Sequence, residues 1–301
     1  MKIFSAADLG QPSYGDYVEA LREGFKGDVT APPRFVSPTV AETIFFAMPA
    51  WNADFTGIKT LTLKADNAAK GLPTIQGTYQ LFDNATGAPV ALLDGTELTR
   101  RRTAAASALA ADYLARKDAS TLLLVGAGAL APHFARAHAA VRPIKRILVF
   151  NRTHEKAMAL AKELGGEAVS DMAKACAEAD IITCITSAHD IVIHGRNIRP
   201  GTHIDLVGAY SPTMREADAA AVAMARVYVD THEGAAHEAG DLLMAQQEGQ
   251  FKWADIQGDL HDLTRGTRLG RKTDAEVTLF KSSGTALEDL VAAAMVYLRQ
   301  A

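Results

Sequence analysis

Gly126, Gly128 and Ala131 stand in a GxGxxA spacing directly behind the apolar run 122–125. A buried strand followed by that spacing is how a dinucleotide-binding fold receives a pyrophosphate. Gly126 allows the tight turn, and Gly128 lets the backbone approach a phosphate with no side chain in the way. Ala131 lets the following helix pack close to the strand. Unpaired amides at Ala129, Leu130 and the helix start then face the phosphates, aided by the helix dipole. A second apolar strand, residues 146–150, ends in Asn151-Arg152-Thr153, where such folds read the adenosine ribose. Sites that prefer NAD commonly place an acidic residue there. Here nothing repels a 2′-phosphate: Arg152 can form charge-assisted bonds to it, and Asn151 and Thr153 neutral ones. The residues predict NADPH as the preferred cofactor, with NADH possible.

Three cations elsewhere could hold an anion. In the expected strand 57–63, alternation puts Lys59 on the same face as Leu61 and Leu63. Such a lysine either snorkels outward or is held in a site, and alternation leaves both open. Arg102 follows Arg100 and Arg101 at the start of an expected helix 99–117, where cations oppose the helix dipole. A local rule broken in this way invites a functional reason. Arg100 and Arg101 are expected to be solvated. The alanines after Arg102 are small enough for close packing or close approach of a ligand. Arg34 rides on Ala31-Pro32-Pro33-Arg34-Phe35, a stiff extended segment.

The elements that must position these residues read as two groups. Before residue 99 come a short strand at 1–5, an amphipathic helix at 14–25, and strands at 43–49, 57–63, 75–82 and 89–94. They are joined by turn-rich segments such as Asp83-Asn84-Ala85-Thr86-Gly87 and form a separate sheet of antiparallel hairpins. After residue 120 strands and helices alternate, as a parallel α/β sheet requires. Expected strands lie at 146–150, around 168–169, and at 181–186, 203–207, 227–230 and 277–283. Expected helices lie at 154–164, from a Ser170 cap to 178, and at 284–298, with a polar helical region at 238–253. Ligands bind at strand C-termini in such sheets, which points to Thr186, Ser187, Val207, Gly208 and Ala209.

Bulk properties bound the rest. With 301 residues the chain suggests two domains. A net charge of −4 with 22% charged residues gives no support to a nucleic acid or an anionic membrane as partner. Cys176 and Cys184 are too few for a disulfide framework, and the N-terminus lacks the apolar core of a signal peptide. The expectation is a soluble, cytoplasmic protein. His232 and His237 mimic a zinc motif, but their spacing does not share a helix face; His133 and His138 fail the same way, so no metal is expected.

Longer motifs carry a family resemblance. Gly57-Ile58-Lys59 is followed by Asn67, Gly71-Leu72-Pro73-Thr74, Asp83, Thr86-Gly87 and Ala91-Leu92-Leu93-Asp94-Gly95. Then come Leu98-Thr99-Arg100-Arg101-Arg102-Thr103-Ala104-Ala105 and, near the end, Phe280-Lys281-Ser282-Ser283-Gly284-Thr285-Ala286-Leu287-Glu288-Asp289. Over essentially its whole length the chain resembles the ornithine cyclodeaminase/mu-crystallin family. The resemblance implies an α/β protein with a Rossmann dinucleotide-binding domain, residues 108–280. That domain is inserted in a discontinuous α+β substrate-binding and dimerisation domain, residues 1–107 plus 281–301. It implies a homodimer. By position, Arg34 and Arg102 match the family's substrate-carboxylate arginines, Lys59 its active-site lysine, Thr74 a threonine near the nicotinamide, and Ser283 a position bordering the substrate.

One departure narrows the implied activity. The family's cyclodeaminases carry an aspartate where this chain has Tyr210, in Gly208-Ala209-Tyr210. Loss of ammonia and ring closure need a proton shuttle titrating near neutrality, and a phenol with an ordinary pKa near 10 is a poor one. Residues 206–216 are most similar to the family's bacterial reductases of cyclic imine carboxylates. The implied reaction is NAD(P)H-dependent reduction of such an imine: Δ1-pyrroline-2-carboxylate to L-proline, or its six-membered homologue, Δ1-piperideine-2-carboxylate, to L-pipecolate. The alternatives are an ornithine cyclodeaminase, an alanine or other amino-acid dehydrogenase, and a mu-crystallin-like NADPH and small-ligand binding protein.

Overall fold

Six strands build the first sheet: β1 (Lys2–Phe4), β2 (Phe35–Pro38), β3 (Ile44–Trp51), β4 (Phe55–Leu63), β5 (Ile75–Asp83) and β6 (Pro89–Asp94), in the order β1-β6-β5-β4-β3-β2. The chain, a computed structural model, is described over residues 1–300. It divides into two units, Met1–Thr103 with the segment from Thr285 onward, and Ala104–Gly284. The boundaries fall at 103/104 and 284/285, where the resemblance implied 107/108 and 280/281.

In the first unit β2 to β6 run antiparallel, as the turn chemistry requires. Its strands differ from expectation in two ways. β1 joins β6 in parallel, so the sheet is mixed. The proline-stiffened lead to Phe35 continues into a strand, β2, which ends at Pro38 on the sheet edge, a position that tolerates a missing amide. Helix Ala286–Arg299 packs on β3, β4 and β5 and against helix Tyr14–Lys26. Those helices cross closely at Gly24, where a Cβ would lie 2.6 Å from Val291 Cγ1. β4 buries Phe55, Gly57, Lys59 and Leu61 on the helix side.

Helix Gly95–Leu114 starts earlier than expected. Asp94 Oδ1 accepts from the Glu97 amide at 2.8 Å, and Glu97 puts an acid in the first turn. Arg100, Arg101 and Arg102 therefore lie beyond that turn, and the conflict with the dipole is absent. Arg101 is not solvated: it donates to Glu97 Oε1 at 2.7 Å and lies over the Tyr14 and Tyr17 rings.

The second unit holds eight strands: β7 (Thr121–Val125), β8 (Arg146–Phe150), β9 (Glu167–Ala168), β10 (Ile181–Cys184), β11 (His203–Leu206), β12 (Arg226–Val229), β13 (Gly258–Asp259) and β14 (Thr278–Lys281). Their order is β13-β12-β14-β11-β10-β7-β8-β9, and every pair is parallel. From β7 the chain steps outward through β8 to β9, then returns to the other side of β7 with β10. That reversal is the switch point at which an open α/β sheet forms its crevice. The helix expected to start at a Ser170 cap starts one residue later, with Asp171 Oδ1 accepting from the Lys174 amide at 3.0 Å. Among the described residues no helix is long and apolar enough to cross a membrane, and no group of His, Cys, Asp or Glu side chains could hold a metal ion.

Candidate active site

Lys59 belongs to the first unit and is fully buried. Alternation on β4 turns it toward helix Ala286–Arg299, whose first turn carries Glu288 and Asp289. Its Nζ donates to Asp289 Oδ1 at 2.8 Å and lies 2.7 Å from Oδ2. Arg102 Nη1 donates to Glu288 Oε2 at 2.6 Å, and its Nε lies 3.0 Å from Asp289 Oδ1. Two of the three expected cations thus converge on one acidic pair. The third, Arg34, is partly buried, and its positive charge acts on the Lys59 amine.

Burial and the Arg102 charge bring the Lys59 ammonium down from 10.5 to about 8, against the opposing pull of Asp289. Tyr79 is paired with Lys59 across β4 and β5 and is buried. Gly57 makes room for it, since a Cβ there would lie 2.0 Å from the phenol oxygen. Burial and the Asp289 charge raise the Tyr79 pKa well above 10. Thr74 ends the turn before β5, where its carbonyl accepts from the Lys64 amide at 2.8 Å. Asn67, another motif residue, holds that turn by donating to the Pro73 carbonyl at 3.0 Å.

The second unit contains a cleft of about 520 Å³ at the switch point. Gly126, Gly128, Asn151, Arg152, Thr153, Thr186 and Ser187 all line it. Gly126 has φ +113, and a Cβ there would lie 2.9 Å from the Ile185 carbonyl oxygen, so the turn needs glycine. A Cβ at Gly128 would meet nothing within 4 Å, which leaves the backbone open to a ligand. Helix Ala131–Val141 has no side-chain cap. The cleft floor therefore fits a dinucleotide pyrophosphate. Asn151 spends its amide on the loop: Oδ1 accepts from the Ala127 amide at 3.1 Å and Nδ2 donates to the Thr153 carbonyl at 2.9 Å. It shapes the loop behind β8, and the positive charge near it comes from Arg152 and Lys156. Asp190, the one carboxylate in the lining, follows β10 and not β8.

Ala129, Leu130, Val207 and Gly208 do not line this cleft. Ala129 and Leu130 form the turn into helix Ala131–Val141. Gly208 instead belongs to a buried polar knot around Glu216. Burial and the charge of Asp241 push the Glu216 carboxyl up to about 7, with Lys281 acting against them. Ser283 also lies in this unit, its amide donating to Asp230 Oδ2 at 2.6 Å. Glu288, Asp289, Tyr79, Lys156 and Glu216 had no assigned role in the sequence reading. Glu288-Asp289 at the start of an apolar helix was visible, but its partners lie far away in the chain. Lys156, one turn into a helix behind Arg152, was the most accessible signal.

The pattern describing the ornithine cyclodeaminase/mu-crystallin family matches residues 9–301. The chain belongs to that family. Δ1-pyrroline-2-carboxylate reductase of Paracoccus denitrificans is 39% identical over 299 residues, covering 95% of this chain and 93% of that one. Among solved structures, Thermococcus litoralis Δ1-pyrroline-2-carboxylate reductase in complex with NADH and L-proline superposes with a TM-score of 0.94 at 32% identity. That match covers 99% of this chain and 97% of the other. An archaeal alanine dehydrogenase dimer with bound NAD gives a TM-score of 0.91 at 28% identity, over 98% of this chain and 94% of that one. These neighbours are consistent with the α/β fold and its Rossmann-type dinucleotide-binding domain.

Proposed function

We propose that this protein is an NAD(P)H-dependent oxidoreductase that reduces a cyclic ketimine carboxylate, with Δ1-pyrroline-2-carboxylate to L-proline as first choice and the six-membered homologue as a second substrate. The observation that carries this reading is the buried cluster of Lys59, Arg102, Glu288 and Asp289 under the influence of Arg34. Cations held in fixed positions bind a carboxylate, and an arginine does so with directional bonds. An ammonium titrating near 8 is charged at neutrality yet gives up its proton readily.

Reduced nicotinamide, when bound, supplies a hydride to the carbon of the C=N bond. Gly126, Gly128 and the amides of the following turn would receive its pyrophosphate, and Arg152 and Lys156 its 2′-phosphate. Arg102 and Arg34 orient the substrate carboxylate. Lys59 shares that task and holds the proton that the nitrogen needs to become an amine. Thr74 and Ser283 border the reacting groups in this reading.

NADPH is the preferred cofactor, because two cations and no acid stand at the end of β8. The protein works in the cytoplasm as a homodimer. In support, β2 pairs only with β3 among the described residues and leaves Phe35 59% and Val36 47% exposed on the sheet edge. An assay panel of five- and six-membered cyclic imine carboxylates, pyruvate with ammonia, and ornithine, each with NADH and NADPH, tests the reading. Turnover of pyruvate with ammonia but of neither imine would move the assignment to an amino-acid dehydrogenase. Binding of NADPH without turnover of any substrate would make it a binding protein.

A further inference from the structure

Glu216 is buried, follows β11, and belongs to neither the cation cluster nor the cleft lining. Its carboxylate ties together the ends of two neighbouring strands. Oε1 accepts from the Thr186 amide at 2.7 Å and from the Thr186 hydroxyl at 2.8 Å, beyond the end of β10. Oε2 accepts from the Gly208 amide at 2.7 Å and the Ala209 amide at 3.2 Å, beyond the end of β11. A Cβ at Gly208 would lie 1.9 Å from the Thr186 carbonyl oxygen, so the two strand ends meet with no spare room.

The carboxylate is itself held in place. Asp241 Oδ1 accepts from the Glu216 and Ala217 amides at 2.7 and 2.9 Å. Lys281 Nζ donates to the Ala209 carbonyl at 2.6 Å and lies 3.4 Å from Asp241 Oδ2. Asp241, Lys281 and Cys184 are the titratable groups around Glu216. Thr186 is the link outward: it lines the dinucleotide cleft together with Ile185, Ser187 and Ala188. Its hydroxyl also accepts from the Ala188 amide at 3.3 Å.

We infer that Glu216 is a positioning residue for the cofactor: through Thr186 it fixes the wall 185–188 of the dinucleotide cleft in its binding shape. Four donors converge on one carboxylate in a dry environment, and charge-assisted bonds of that kind define geometry more firmly than neutral ones. The cleft wall is preformed, and binding need not order it.

This inference rests on the dinucleotide reading, and the experiment separates the two. Wild-type protein is titrated with NADH and NADPH by nicotinamide fluorescence; failure to bind either overturns the dinucleotide reading itself. Glu216→Gln keeps the side chain's length, removes its charge and replaces one acceptor oxygen by a donor. It is expected to raise the dissociation constant and the KM of the cofactor by about tenfold, the equivalent of one lost charge-assisted bond. The imine KM at saturating cofactor stays at its wild-type value. Cofactor affinity equal to wild type, or a rise in imine KM matching the rise in cofactor KM, overturns the inference. A wild-type measurement holds should the variant not fold. Without cofactor, the Thr186, Gly208 and Ala209 amides must exchange slowly with solvent deuterium, and fast exchange overturns the clamp.

Discussion

Asp289→Asn isolates the charge that keeps Lys59 protonated. The fall of the Lys59 ammonium from 10.5 to about 8 corresponds to roughly 3 kcal/mol in favour of the neutral amine. It would be larger without Asp289, whose oxygens lie 2.7 and 2.8 Å from Nζ. The amide keeps the shape and an acceptor oxygen but loses the charge. An opposite charge at such distances is worth about 1–3 pKa units, so the Lys59 pKa in the variant drops to between about 5 and 7. The active form is the protonated one, so activity is present below the Lys59 pKa and lost as pH rises through it. Wild-type kcat/KM then falls as pH rises through about 8, and the variant's falls at the lower value. At neutral pH the loss is between about two- and a hundredfold, and it shrinks as the pH is lowered. Arg102 stays charged throughout, so its disturbed contact with Asp289 adds only a pH-independent factor. The assay is kcat/KM for the cyclic imine from about pH 5 to about pH 10 with both proteins. Ionisation of the substrate affects both alike and cancels in the comparison. Superimposable profiles, or a loss of equal size at every pH, would refute the reasoning.

Other substitutions address the remaining groups. Lys59→Met lowers imine reduction by at least about a hundredfold while cofactor binding, followed by fluorescence, is retained; near-wild-type kcat/KM would remove Lys59 from the site. Arg102→Ala raises the imine KM by the equivalent of about 2–5 kcal/mol, as expected when one partner of a buried charge pair is removed; an unchanged KM would leave Arg102 with a structural task alone. Arg152→Ala raises the NADPH KM and barely moves the NADH KM, and equal effects on both would mean that Arg152 does not read the 2′-phosphate. Ornithine gives no proline at a meaningful rate, because Tyr210 stands where a carboxylate would shuttle the proton; rapid ammonia release with catalytic NAD would contradict this.

Legibility in the sequence followed the range of the interactions. The GxGxxA turn, the loop behind β8 and β4 are local patterns of spacing and alternation, and the structure finds these elements where the pattern put them. β2 was missed because two prolines in the lead obscured the alternation behind them. The start of helix Gly95–Leu114 was missed because the Asp94 cap lies inside the end of β6, and a residue can close a strand and cap a helix at once. Arg101 illustrates a different limit: whether an arginine is solvated depends on which rings lie beneath it, and Tyr14 and Tyr17 come from another helix. Glu216 was beyond reach because its bonds depend on how the segments after β10 and β11 fold back onto it, which no local spacing or alternation reveals.

Glu288 and Asp289 show why the cation cluster needs its hidden half. Lys59, Arg102 and Arg34 together would repel one another strongly in a buried site, and burial alone would neutralise the lysine. Two carboxylates hold Lys59 and Arg102 charged and oriented. The acids at the start of helix Ala286–Arg299 are therefore what allows a buried cluster of cations to fold.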